Sequence, residues 1–150
     1  MTEPRWLDDE EMRAWTAFLA ATALLNRRIE QQLKDDAHLS HTQYEVLVRL
    51  SQAPGHQLRM TELSAALFTS KSGLTYQIDQ LAKAGFVRRT PSPDDTRGIV
   101  ATLTPAGRRK LEAAAPGHVA LVRELLIDVL TPAQRKAIAD GLGEVARRLS

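Results

Sequence analysis

FVRRTPSPDDTRGIVATL, residues 86–103, sets two short runs of strand composition around a loop of turn formers. Phe86-Val87-Arg88-Arg89-Thr90 and Ile99-Val100-Ala101-Thr102-Leu103 are rich in β-branched and apolar residues, which favour a pleated, half-buried backbone. Pro91, Pro93, Asp94, Asp95 and Gly98 lie between them. Proline fixes φ, aspartate bonds nearby backbone and glycine tolerates positive φ, so each favours a turn. The stretch reads as a β-hairpin with Arg97 near its tip. Directly upstream, residues 61–85 (TELSAALFTSKSGLTYQIDQLAKAG) read as a compact helix pair.

In that pair Thr61 is the expected cap of a brief helix from Glu62 to Leu67, and Thr69 or Ser70 caps the next, which runs to about Ala84. Leu74, Ile78 and Leu81 form its inward stripe, and Gly85 suits a left-handed C-cap. Further out, Ser40-His41-Thr42-Gln43 has capping-box spacing, so a helix begins near Thr42 and stops before Pro54-Gly55. Leu58-Arg59-Met60 has the composition of a short strand. Met12, Trp15, Leu19, Thr22, Leu25, Ile29 and Leu33 recur at steps of three and four, which predicts one long amphipathic helix. A stripe of that length in so small a domain needs a partner helix, and a second copy of the chain is the natural cover. On the other side, Thr104-Pro105 opens a helix that reaches about Leu130, with Pro116-Gly117 expected to kink or interrupt it. Thr131-Pro132-Ala133-Gln134 caps a last helix carrying Ile138, Leu142, Val145 and Leu149. The predicted fold class is mainly α with a small β-hairpin wing.

The chain has 150 residues, a length that predicts one domain. It has no cysteine, which rules out disulfides and thiolate metal sites and fits a reducing compartment, so a cytoplasmic location is expected. Charges interrupt every apolar run, so no membrane span is predicted. MTEPRWLDDEE is acidic, so no secretory signal is expected at the N-terminus. Residues 57–110 carry nine Lys/Arg and four Asp/Glu, whereas residues 1–56 carry six and nine. The helix pair and the hairpin therefore share a basic third of the chain, which attracts phosphates by counterion release.

A helix pair followed by a basic hairpin suits duplex DNA. The second helix presents hydroxyls and a lysine at its N-terminus: Thr69, Ser70, Lys71, Ser72 and Thr75, with Tyr76 and Gln77 able to reach base edges. An arginine at a hairpin tip can enter a narrow minor groove, and Asp95, two residues before Arg97, can hold it in one pose. The bland counterparts are a helical hairpin that only packs and a surface ion pair worth about 0–1 kcal/mol. His38 and His41, with Asp35 and Asp36, straddle a helix boundary without regular ligand spacing, and no metal or cofactor site is read from them. His56 and His118 read as isolated and solvated. No phosphate-binding loop, nucleophile elbow or His-Glu metal motif is present, so the chain reads as no enzyme.

Three stretches carry a resemblance: LSHTQYEVLVRLSQAPG (39–55), RMTELSAALFTSKSGLTYQIDQLAKAGFVRR (59–89) and PDDTRGIVATLTPAGRRKLE (93–112). They resemble the MarR (multiple antibiotic resistance regulator) family of winged helix-turn-helix transcription factors. The resemblance implies a winged helix-turn-helix at about 38–104. It implies dimerisation helices at about 8–37 and 105–149, in an obligate homodimer. It further implies a DNA-binding transcriptional regulator, expected to be a ligand-responsive repressor on a pseudo-palindromic double-stranded operator. Residues 70–77 would read the major groove, Arg97 would enter the minor groove, Asp95 would brace the wing, and Arg88 and Arg89 would contact phosphates. Tyr76 and Gln80 stand where a basic residue is common in the family, which puts more of the affinity on Arg97. A small aromatic or phenolic effector is implied in the cleft between dimer helices and winged helix. Trp15 and Tyr44 would line that cleft with His41 nearby, or else be plain core aromatics. Peroxide sensing by cysteine is out, with Thr16 at about the position concerned. The alternative reading is a metal-responsive or protein-interaction module with weak or vestigial DNA binding.

Overall fold

The computed structural model describes residues 2–94 and 98–150; Asp95 and Arg97, two of the expected DNA contacts, lie outside the described residues. Helix α1 spans Asp9–Ala37, longer at both ends than the apolar stripe alone indicates. Asp8 and Glu11 extend its start, because each accepts the other's backbone N–H in a reciprocal capping box. It ends at His38, which takes the left-handed conformation (φ 55°). Helix α2 (His41–Gln52) begins with the expected Ser40–Gln43 box, one residue earlier than predicted. A short 3₁₀ turn at Pro54–His56 then leads into strand β1 (Gln57–Arg59).

Helix α3 (Met60–Leu67) differs from its expected start. Thr61 lies inside the helix, because the Glu62 carboxylate accepts the Arg59 N–H and moves the cap back two residues. Helix α4 (Lys71–Lys83) is capped by Ser70, whose Oγ accepts the Gly73 N–H at 3.1 Å. Gly85 follows it at φ +83°, where a side chain would strain the backbone. Strands β2 (Val87–Pro91) and β3 (Ile99–Leu103) pair antiparallel, and β1 adds on the other side of β3, giving the order β1-β3-β2. Val87 faces Leu103 and Arg89 faces Ala101 across the ladder.

Thr104 joins the hairpin to helix α5 (Pro105–Val122). Its Oγ accepts the Gly107 N–H and donates to the Gly85 carbonyl at 2.6 Å. Gly107 is required here: a Cβ on it would lie 2.1 Å from the Phe86 carbonyl oxygen. Of the expected kink or interruption at Pro116-Gly117, the interruption is absent: Pro116 lies inside α5. Gly117 lets α5 approach Gln32 of α1 closely, since a Cβ there would be 3.1 Å from its side-chain nitrogen. The helical irregularity lies further on, in a π turn at Arg123–Ile127. Helix α6 (Pro132–Leu149) starts with the predicted Thr131–Gln134 box.

One core holds these elements together. Leu33, Val46, Leu47, Leu50, Leu63, Leu74 and Ile78 are fully buried, which joins the end of α1 to α2, α3 and α4. Each such side chain contributes about 1.5–3 kcal/mol of transfer free energy. Burial along α1 is graded: Ile29 and Leu33 are inside, whereas Met12, Trp15 and Leu19 are about half-exposed. Ile138, Leu142 and Val145 of α6 are exposed as well. The two ends of the chain therefore show apolar surface that this single chain does not cover. No helix among the described residues is long and apolar enough to cross a membrane.

Candidate nucleic-acid interface

Helix α4 stands outward from the core on its Leu74–Ile78–Leu81 stripe. Ser70, Lys71, Ser72, Thr75 and Tyr76 are exposed on its other side, with Tyr76 at 61%. Thr69 is half-buried at the turn before it. Thr75 bonds back to the Lys71 carbonyl at 2.8 Å, so its hydroxyl proton is used within the helix while its oxygen can still accept. Gln77 is placed differently. It is half-buried, and its Oε1 accepts from the Ser40 hydroxyl at 3.4 Å, tying α4 to the head of α2.

The wing is braced against this helix. Arg89 forms an ion pair with Asp79 of α4, its guanidinium nitrogen 2.6 Å from the carboxylate oxygen. Arg59, at the start of α3, pairs with Asp94 at 3.3 Å and holds the near end of the β2–β3 connection. Ser92 is buried and its N–H donates to the Gly98 carbonyl at 2.8 Å. Between α3, α4 and the wing lies a groove of about 380 Å³, with Lys71, Thr75, Arg59 and Arg89 on its walls. Side chains alternate faces along a strand, so Arg88 points away from the side that Arg89 occupies. The two arginines cannot grip the same phosphate. Among the described residues, neither Lys71 nor Arg88 forms an ion pair.

The expected effector residues are only partly brought together. Trp15 stacks on Phe18 with ring centroids 6.2 Å apart. It lies fifteen residues before Glu30, which is roughly 22 Å along α1 at about 1.5 Å per residue. Glu30 is where α2 touches that helix, because its carboxylate accepts the His41 N–H. Within one chain Trp15 is therefore separated from His41 and Tyr44. Tyr44 is a core residue, 4% exposed.

His118 is not isolated and solvated, as the sequence suggested. It is half-buried, with its ring 4.4 Å from that of Tyr44 and 5.8 Å from that of His41. His41 Nε2 is 3.5 Å from Glu45 Oε1, one helical turn on. The His41 hydrogen bond holds the Glu45 carboxyl below the usual range, against the opposing effect of burial. Burial, aided by His41, pushes the His118 imidazole below its ordinary pKa. Burial, aided by Glu45, pushes the Tyr44 phenol up. Helix spacing could have suggested the His41–Glu45 pair. Nothing local pointed to His118, which the α2–α5 packing supplies. Of the other expected residues near this junction, His38 is exposed at the end of α1. His56 is held by the Ser51 carbonyl and by Arg108.

Comparison with known proteins places this geometry. The MarR family profile matches residues 39–99. The chain superposes on the crystal structure of Sco3205, a MarR family transcriptional regulator from Streptomyces coelicolor in complex with DNA. The TM-score is 0.94 at 40% identity, covering 98% of this chain and 92% of that one. AbsC, a MarR family transcriptional regulator from the same organism, gives a TM-score of 0.91 at 38% identity, covering 97% and 98%. The transcriptional repressor YetL of Bacillus subtilis is 31% identical over 112 residues, 75% of this chain and 66% of that protein.

Proposed function

This chain belongs to the MarR family of transcriptional regulators, and on that premise we propose that it is a homodimeric repressor of a pseudo-palindromic operator, responsive to a small effector. The observation that carries the reading is helix α4, held open to solvent above a basic groove and braced by the wing. Its N-terminus enters the major groove, where free backbone N–H groups and the Ser70 and Ser72 hydroxyls meet phosphate. Lys71 and Tyr76 are the side chains offered to base edges. Gln77 acts from the second rank, setting the angle of α4 through Ser40. Arg89, on the groove wall, grips phosphate and aligns α4 in one ion pair; Arg88, on the other face, grips a different phosphate. Arg97 enters the minor groove with Asp95 as its brace.

The uncovered apolar faces of α1 and α6 form the dimer. Two readers then engage half-sites about 34–36 Å apart, one turn of DNA. A hinge between the flanking helices and the winged helix changes that spacing, so an effector at the hinge changes affinity. The relatives are named as regulators, and no catalytic role is proposed. A cytoplasmic location follows from the same reading.

Fluorescence anisotropy on the DNA upstream of the chain's own gene tests the proposal. Arg97→Ala should weaken binding at least about tenfold, a loss of about 1.4 kcal/mol, with the helical circular dichroism unchanged. Unchanged affinity sinks the minor-groove role. Failure of the unaltered protein to bind at low salt sinks the DNA-binding reading itself.

A further inference from the structure

Where the winged helix meets the flanking helices, three metal-binding side chains converge that the DNA-binding face does not use. His41 opens α2, Glu45 lies one turn on, and His118 comes from α5. One donor atom from each lies within 4.8 Å of the other two. The buried His118 Nδ1 has no hydrogen-bond partner among the described residues. Donors that close leave room for an ion and not for a ring, and the Tyr44 ring is already covered by His118.

We propose that His41, Glu45 and His118 bind a divalent transition-metal ion of zinc type, and that the bound ion is a co-repressor. Two imidazoles and a carboxylate are a donor set that zinc takes with a fourth position left open. In a tetrahedral zinc site donors sit about 3.4 Å apart, so the 3.5 Å between His41 Nε2 and Glu45 Oε1 already matches. The Tyr44 ring steadies the His118 ring, and Glu30 fixes the His41 backbone.

The ion ties α2, part of the DNA-binding unit, to α5, part of the flanking helices. His41 is next to Ser40, which touches Gln77 on the reading helix. The chain in which these donors converge superposes on the DNA-bound relative with a TM-score of 0.94. The ion therefore stabilises the binding-competent arrangement. The regulatory role rests on the DNA-binding reading above, whereas ion binding does not.

The test uses the full chain stripped with chelator, and Zn²⁺ alone as the probe. In competition with a chromophoric chelator the chain should take up one Zn²⁺, and Co²⁺ should give the visible spectrum of a low-coordinate N/O site. His118→Gln and Glu45→Gln should each weaken uptake more than about tenfold. Glu45→Gln is the second variant in case the first disturbs the α2–α5 packing. Lack of uptake, or uptake that neither substitution alters, overturns the site. Anisotropy on the upstream DNA should show binding tightened about tenfold by Zn²⁺ in the unaltered protein and not in Glu45→Gln. Binding that zinc leaves unchanged or weakens overturns the co-repressor role. If the stripped protein binds Zn²⁺ but neither form binds DNA, the DNA-binding reading has failed and the metal site stands.

Discussion

His118 illustrates what a sequence conceals at the scale of single residues. It is far from His41 and Glu45 in the chain, so no spacing rule links it to them. Only the approach of α5 to α2 gives it a role. Arg89 is similar: its strand position was legible, but its ion pair with Asp79 depends on the hairpin folding back on α4. The placement of Ser70, Lys71 and Ser72 at the start of α4 was legible, because a hydroxyl cap and the first helical turn are local features. The burial of His118 also sets a pH dependence. Its imidazole is pushed below the ordinary range in the folded chain, with His41 adding to that shift and Glu45 opposing it. As pH falls below about 6.5, the ordinary histidine value, the unfolded chain takes up this proton first. The stability due to neutral His118 is thus complete above that value and is lost as pH falls through the lower folded value. Glu45, also depressed, adds a loss of the same sign further into acid. Urea unfolding in chelator should therefore show stability falling from pH 7 to pH 5, less steeply in His118→Gln. An equal slope in both contradicts this account of the imidazole.

Three helix starts marked by side-chain signals were predicted within a residue or two, whereas the Asp8–Glu11 box that starts α1 was not read. Ser40–Gln43 and Thr131–Gln134 form the boxes that their spacing announces, and Thr104-Pro105 opens α5 as read. Elements shaped by competition between signals were not legible. Thr61 was a plausible cap until Glu62 captured the Arg59 N–H. Pro116 was a plausible break, yet it lies inside an uninterrupted α5. Ser40 matters beyond its cap, because its hydroxyl also reaches Gln77 on α4. Ser40→Ala should cost about 1 kcal/mol of stability through the lost cap. It should also weaken operator binding more than Ser51→Ala, a hydroxyl change at the far end of the same helix. Chemical denaturation and anisotropy on the same samples check both parts. Equal operator affinities in the two variants would mean that the Ser40–Gln77 contact does not set the angle of α4.

For the whole molecule, the apolar surface left open on α1 and α6 supports the proposed dimer. The sequence indicated this through the length of the α1 stripe. It could not indicate which residues a second copy covers, since that depends on how two chains meet. Leu142→Asp should shift the protein to monomer in sedimentation while the winged helix stays folded, and operator affinity should collapse with it. A dimer that survives this change places the interface elsewhere. In the proposed dimer, two copies of α4, held by these helices, read two successive major grooves. Hydroxyl-radical footprinting of the DNA upstream of the chain's own gene tests it most directly. Two symmetry-related protected patches centred about 10 base pairs apart are expected, with minor-groove protection that disappears in Arg97→Ala. A single unsymmetrical patch, or no protection at low salt, would contradict it.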